Sequence, residues 1–197
     1  VLALAYAHQT MIDDAHGRII QKLKDLGLDK NTIVIWSTDH GDSLASHGGH
    51  FDKASFMSQE VMRIPMAARW PGVIRPNQVS DALVSNIDIP LTILDAAGTS
   101  FTQEVHGHSL LPLMKEEDVA TRDYFVGETA GHGYVEKING RMVVSGDYKL
   151  VLFEEQKDEL YNLKEDPYEM TNLAYDAAYM DIKNDLQAKL LEWQKET

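Results

Sequence analysis

The chain has 197 residues, 44% of them hydrophobic and 25% charged, which allows one sizeable domain or a domain with a small appendage. A formal net charge of -13 argues against non-specific binding to nucleic acid or to an anionic membrane surface, because the long-range field repels both. Cysteine is absent, which excludes disulfides, Cys-based zinc sites and thiol catalysis.

No apolar run is long enough to span a bilayer. The opening stretch Val1–Ala7 lacks the basic flank of a signal peptide and reads as the middle of a helix whose upstream part has been removed. From Leu4 to Leu26, the residues Ile12, Ala15, Ile19, Leu23 and Leu26 fall at helical spacing, and Gly27 is placed to end the helix. Asp13 and Asp14 within it read as a solvated turn, since adjacent helix positions do not face one ligand. Thr32 to Trp36 is continuous and rich in β-branched residues, the pattern of a strand buried on both faces, as in a parallel sheet. Ligands gather at the carboxyl ends of such strands. A Gly/Ser/His-rich loop follows (41–53), then a short helix over 56–62 and a strand over 64–70 closed by Pro71-Gly72. The segment 88–97 predicts a helix with Asp88 at the N-cap, Pro90 in the first turn and Gly98 as the stop.

Beyond Leu113 the texture becomes short strands, over 124–127, 141–145, 148–153 and 159–161, with Asn139-Gly140 and Gly146-Asp147 as turns. A helix over 176–193 closes the chain, with Met180, Ile182, Leu186, Leu190 and Trp193 as its apolar stripe. The expected architecture is therefore α/β. Part of a mixed or parallel sheet flanked by helices is followed by a small subdomain of antiparallel strands and a closing helix.

The densest chemistry lies just past the first strand. Asp39 and His40 offer one carboxylate and one imidazole, a donor pair suited to Zn, Mn or Fe and less obviously to Ca. Gly41 would permit the sharp turn that such a pair needs. Two ligands make no stable site, so others must come from elsewhere. His47, His50 and Lys53 follow in the same loop.

The run Ser-Thr-Asp-His-Gly-Asp-x-Leu-x-Ser-His-Gly (37–48) with Asp52-Lys53, then Arg63-Ile64-Pro65 and Arg69-Trp70-Pro71-Gly72, resembles the C-terminal half of the sulfatase family. Further matches keep the family's order. They are Asp13 with Gly17-Arg18-Ile19, the stretch 88–95 with Ala97-Gly98, Gly107-His108-Ser109-Leu110-Leu111-Pro112, Tyr148-Lys149-Leu150, Leu160-Tyr161-Asn162-Leu163, Asp166-Pro167-Tyr168-Glu169 and Asn172-Leu173. The resemblance covers nearly the whole chain. It implies residues 1–112 as the C-terminal half of a large α/β domain and 113–197 as a small subdomain.

By the same resemblance, Asp39 and His40 match two ligands of a divalent cation, usually calcium. Lys53 matches the lysine that contacts the sulfate oxygens, a catalytic and substrate-binding role. His47 is placed for either a substrate contact or a loop-stabilising hydrogen bond. The family's nucleophile is a formylglycine made from a Cys/Ser-x-Pro-x-Arg motif, and no such motif occurs here. The N-terminal Asp-Asp ligand pair is absent as well. Met57-Ser58-Gln59-Glu60 stands where Tyr-Glu-Glu is commoner, and the Asp39-to-Lys53 spacing is one residue longer than in many relatives.

The expectation is a fragment of a sulfuric ester hydrolase, inactive alone, whose full-length form acts on a sulfated small molecule or saccharide. A phosphodiesterase or phosphonate monoester hydrolase of the same alkaline-phosphatase-like superfamily is the first alternative, and a catalytically dead binding domain the second. His106, His108, His132 and Arg141 are rim candidates better read as ordinary surface residues. The resemblance favours a periplasmic or secreted location.

Overall fold

The computed structural model describes residues 2–117, 119–131 and 138–196. The chain divides into two units. One comprises Val1–Asp39, Pro65–Asp81 and Ser85–Ala120; the other comprises His40–Ile64, Ala82–Val84 and Thr121–Thr197.

In the first unit, α1 (Leu2–Asp25) forms where predicted, and Gly27 ends it with φ +68. None of its residues is buried, and Ile12 and Ile19 of the predicted stripe are exposed. Asp13 and Asp14 are exposed too, as a solvated turn requires. β1 (Val34–Ser37) pairs antiparallel with β2 (Met66–Arg69), in the register Val34↔Arg69 to Ser37↔Met66. The unbroken apolar run predicts burial on both faces, yet Trp36 is 39% exposed. Trp36 instead meets helix α1 at its edge, its indole N–H donating to His16 Nδ1 at 3.0 Å.

Helix α4 (Asp88–Ala96) also forms as predicted, but Asp88 is not its N-cap; Ile87 takes that position. Asp88 is instead fully buried, and its carboxylate accepts from the backbone N–H of Ser85 (2.7 Å) and of His108 (2.9 Å). Thr92, equally buried, donates to the Asp88 carbonyl and accepts from Leu110 N–H, both at 2.8 Å. A Cβ on Gly107 would lie 2.4 Å from the Ile87 carbonyl oxygen. The Gly-His-Ser-Leu motif thus fastens the chain to α4 just before α5 (Leu111–Met114).

The second unit is built on a four-stranded antiparallel meander, β3 (Tyr124–Ala130), β4 (Asn139–Ser145), β5 (Tyr148–Phe153) and β6 (Glu159–Asn162), in that order. Asn139 and Gly140, predicted as a turn, lie inside β4 opposite Ala130 and Thr129. Backbone pairing with β3 there outweighs the local turn preference of Asn-Gly. Gly146-Asp147 is the two-residue hairpin expected, with Gly146 at φ +56.

Both faces of the meander are covered. Val143, Leu150 and Leu160 pack with Leu186 and Leu190 of the closing helix α6 (Met180–Glu196). Met142 and Val151, of opposite pleat parity, pack with Met57 from the segment between α2 (Ser46–Gly49) and α3 (Gln59–Met62). In α6, four of the five predicted stripe residues reach the core, while Met180 stays exposed at the helix start.

Candidate functional site

β1 delivers Thr38 and Asp39 to the end of the first unit's opening segment, and His40 begins the second unit. Asp39 is exposed, and its Oδ1 accepts from the Thr38 hydroxyl at 3.2 Å. His40 is half-buried, with Nδ1 2.7 Å from the Gly41 carbonyl. A ring that donates from Nδ1 to a carbonyl carries its basic lone pair on Nε2, the state that ligates a cation. By chemistry the carboxylate and imidazole therefore suit a divalent ion.

Gly41 is required for a reason other than the expected turn. Its φ is not left-handed; rather, a Cβ there would lie 1.8 Å from the Glu60 carbonyl oxygen. Gly41 N–H donates to the Val61 carbonyl at 2.8 Å, so the loop starts by lying directly on α3.

The loop then turns through an unusual run of left-handed residues. Leu44, Ala45, His47, Asp52 and Ala54 all have positive φ, as do Gly48 and Gly49. Asp42 accepts from Leu44 N–H at 2.7 Å, and Ala45 N–H donates to the His50 carbonyl at 2.7 Å, closing the turn α2. Lys53 sits between Asp52 and Ala54, half-buried, its N–H bonded to the Asp52 carboxylate at 2.7 Å. Among the described residues its ammonium has no ion pair or hydrogen bond. His47 Nε2 lies 3.1 Å from the Glu60 carboxylate, so the ring bridges the loop to α3.

Behind this loop lies a polar cluster that sequence reasoning missed. Lys149 of β5 and Glu169 form an ion pair with side chains 1% and 2% exposed. The Lys149 ammonium donates to the Met57 carbonyl (2.7 Å), and Glu169 Oε2 accepts from Gln59 N–H (2.7 Å). Burial pushes the Lys149 ammonium below its usual range, against the pull of Glu169. Glu159 is raised by burial, with Lys149 opposing and Glu169 reinforcing, and Tyr161 is raised by burial and by Glu159. Glu159, Tyr161, Glu169 and His47 line a cavity of about 190 Å³ together with Ser55, Phe56 and Phe153. One signal was present in the sequence: Lys149 interrupts an apolar strand at a core position, where lysine is rarely placed without a partner.

His47, Glu60 and Glu169 also bring ligand atoms within 4.8 Å of one another, a second group able to face a cation, although Glu169 is committed to Lys149. For Glu60, burial raises the carboxyl, but its own backbone hydrogen bond and the bond to His47 bring it below its ordinary value. A depressed carboxylate adds stability above its unfolded value and loses it as pH falls through the folded one. The wild-type advantage over Glu60→Gln is therefore expected in full at about pH 6.5 and reduced at about pH 3.5, as read from denaturation midpoints.

Two of the rim candidates are surface groups and a third, Arg141, is half-buried. Arg141 pairs with Glu128 at 2.6 Å, His106 and His108 are exposed, and His132 lies outside the described residues.

A family model described as "N-sulphoglucosamine sulphohydrolase, C-terminal" matches residues 46–196. The chain belongs to this sulfatase family. The N-acetylglucosamine-6-O-sulfatase of Bacteroides thetaiotaomicron is 33% identical over 94% of this chain and 34% of that enzyme. A solved structure of a protein in complex with its substrate D-glucosamine-2-N,6-O-disulfate superimposes with TM-score 0.85, at 30% identity over 93% of this chain and 38% of that one. The phosphonate monoester hydrolase of Agrobacterium radiobacter gives TM-score 0.81, at 26% identity over 91% and 38%. This sulfatase chain thus spans between a third and two-fifths of the length of these relatives.

Proposed function

We propose that the full-length protein hydrolyses sulfate esters and that this chain supplies one wall of the site. The observation that supports the reading is the segment 39–60, which carries a carboxylate, an imidazole and Lys53 directly after β1 in sequence, in a chain of the sulfatase family. Asp39 and His40 are the residues that would hold a divalent cation, calcium by family resemblance. The cation's role when bound is to offset negative charge on the departing sulfuryl group. Lys53 contributes a fixed ammonium to the sulfate oxygens, and His47, held by Glu60, is the second substrate contact of the loop. The formylglycine nucleophile has no source motif in these 197 residues and belongs to sequence outside them.

A sulfated saccharide is the substrate class we favour, since a relative is named as an N-acetylglucosamine-6-O-sulfatase and a neighbouring structure holds a disulfated glucosamine. We keep the division at 112/113 between large domain and small subdomain, and an exported location, as parts of the same proposal.

A phosphonate monoester hydrolase is the second reading, favoured by the structural likeness to that enzyme. Parallel assays of the full-length protein on p-nitrophenyl sulfate and p-nitrophenyl phosphonate esters separate the two. The sulfatase reading expects metal-dependent turnover of the sulfate, and none by this chain alone. Phosphonate turnover without sulfate turnover sinks it, and clear sulfatase activity of this chain alone sinks the partial-site account.

A further inference from the structure

We propose that the buried Lys149–Glu169 pair is a positioning device for the loop that carries His47 and Lys53. Both members direct hydrogen bonds at one short stretch of backbone. Lys149 binds the Met57 carbonyl across 92 residues of sequence, and Glu169 binds Gln59 N–H across 110. Met57 and Gln59 lie four and six residues past Lys53. An ion pair serving only the core would be replaceable by apolar side chains without loss. This one instead couples a central strand to the backbone just beyond Lys53.

The loop needs such a hold. Leu44, Ala45, His47, Asp52 and Ala54 all occupy the left-handed region, where non-glycine residues persist only when the surroundings over-determine them. The polar ties inside the segment are short-range, Gly41 N–H to Val61 and His47 to Glu60, and Met57 adds an apolar contact with Met142 and Val151. Glu169 itself sits at φ +55, so the tail after β6 is bent to deliver its carboxylate. Lys149 and Glu169 act through the loop backbone.

The test uses the full-length protein with three variants. K149M/E169M removes both charges and both backbone partners, and keeps the site apolar so that the unit still folds. K149M/E169Q is neutral too but leaves an amide oxygen to accept from Gln59 N–H. K53M reports the loss of the lysine itself. Hydrogen exchange followed by mass spectrometry is expected to speed up about tenfold over 43–60 in K149M/E169M, with β4 and α6 unchanged, and to be partly restored in K149M/E169Q. The kinetic arm alone rests on the sulfatase reading. There kcat on p-nitrophenyl sulfate should fall about tenfold or more in K149M/E169M with KM little changed, and recover in part in K149M/E169Q.

Unchanged protection over 43–60 in K149M/E169M overturns the proposal, as does a uniform loss of protection across the unit. A freed loop with unchanged kcat also overturns it, and leaves the sulfatase reading intact. If the wild-type protein turns over no sulfate ester, that reading fails, and the exchange arm still decides whether the pair holds the loop.

Discussion

Replacing Lys149 alone with methionine is expected to lower the stability of the second unit by about 3–5 kcal/mol, the usual cost of stranding one member of a buried ion pair. The Glu169 side chain is 2% exposed, so water cannot take the place of the lost ammonium. It would keep its bond to Gln59 N–H but lose its counter-charge. The Met57 carbonyl would lose its buried donor at the same time. The double replacement K149M/E169M should recover most of the loss, because removing both charges leaves no uncompensated ion. Urea denaturation of the single and double variants checks both statements. A loss below about 1 kcal/mol in the single variant would mean that Glu169 reaches solvent or another cation.

The elements with strong periodicity were legible from sequence. α6 and the four strands of the meander lie close to where spacing and turn residues put them, because each packs its apolar side chains against a core within the same unit. The misreadings share a cause: a residue-type signal was overridden by a hydrogen bond or close contact that the type alone does not announce. Asn139-Gly140 reads as a turn, yet pairing with Ala130 and Thr129 makes it strand. Asp88 reads as a helix cap, yet its carboxylate is claimed by Ser85 and His108. Gly41 reads as a conformational glycine, yet its role is to let two backbones touch.

The candidate site shows the same division. Asp39, His40, His47 and Lys53 stand in one short stretch and could be picked out by residue type and order. Glu60, Lys149 and Glu169 could not, since nothing local links a lysine in an apolar strand to a carboxylate twenty residues on, or either of them to Met57 and Gln59. The motifs Tyr148-Lys149-Leu150 and Asp166-Pro167-Tyr168-Glu169 are matched as strings in the sequence. In the fold they are the two halves of one clasp. Asn172 gives a parallel case, its side chain bonding Leu160 N–H, Ala174 N–H and the Asp158 carbonyl to fix the tail beside β6.

Lys53→Met is expected to reduce kcat/KM of the full-length protein on sulfate esters by about 10²–10³-fold, the scale on which losing one fixed charge-stabilising donor slows a group transfer. The chain carries a net charge of -13. An anionic ester entering that field needs local positive charge, and the charge must strengthen its hold as negative charge builds on the departing group. Lys53 is suited to this because its ammonium has no partner among the described residues and its backbone is held on both sides, by Asp52 and through the Lys53 carbonyl to Phe56 N–H. The stability of the variant should therefore match the wild type, since no buried pair is broken. Lys53→Arg should recover activity only in part: it keeps the charge, but the planar guanidinium cannot take the place of a compact ammonium. Steady-state kinetics with thermal melts of all three proteins decide the matter. A loss under about tenfold in Lys53→Met, with unchanged melting, would remove Lys53 from the sulfate site and leave the loop a structural element alone.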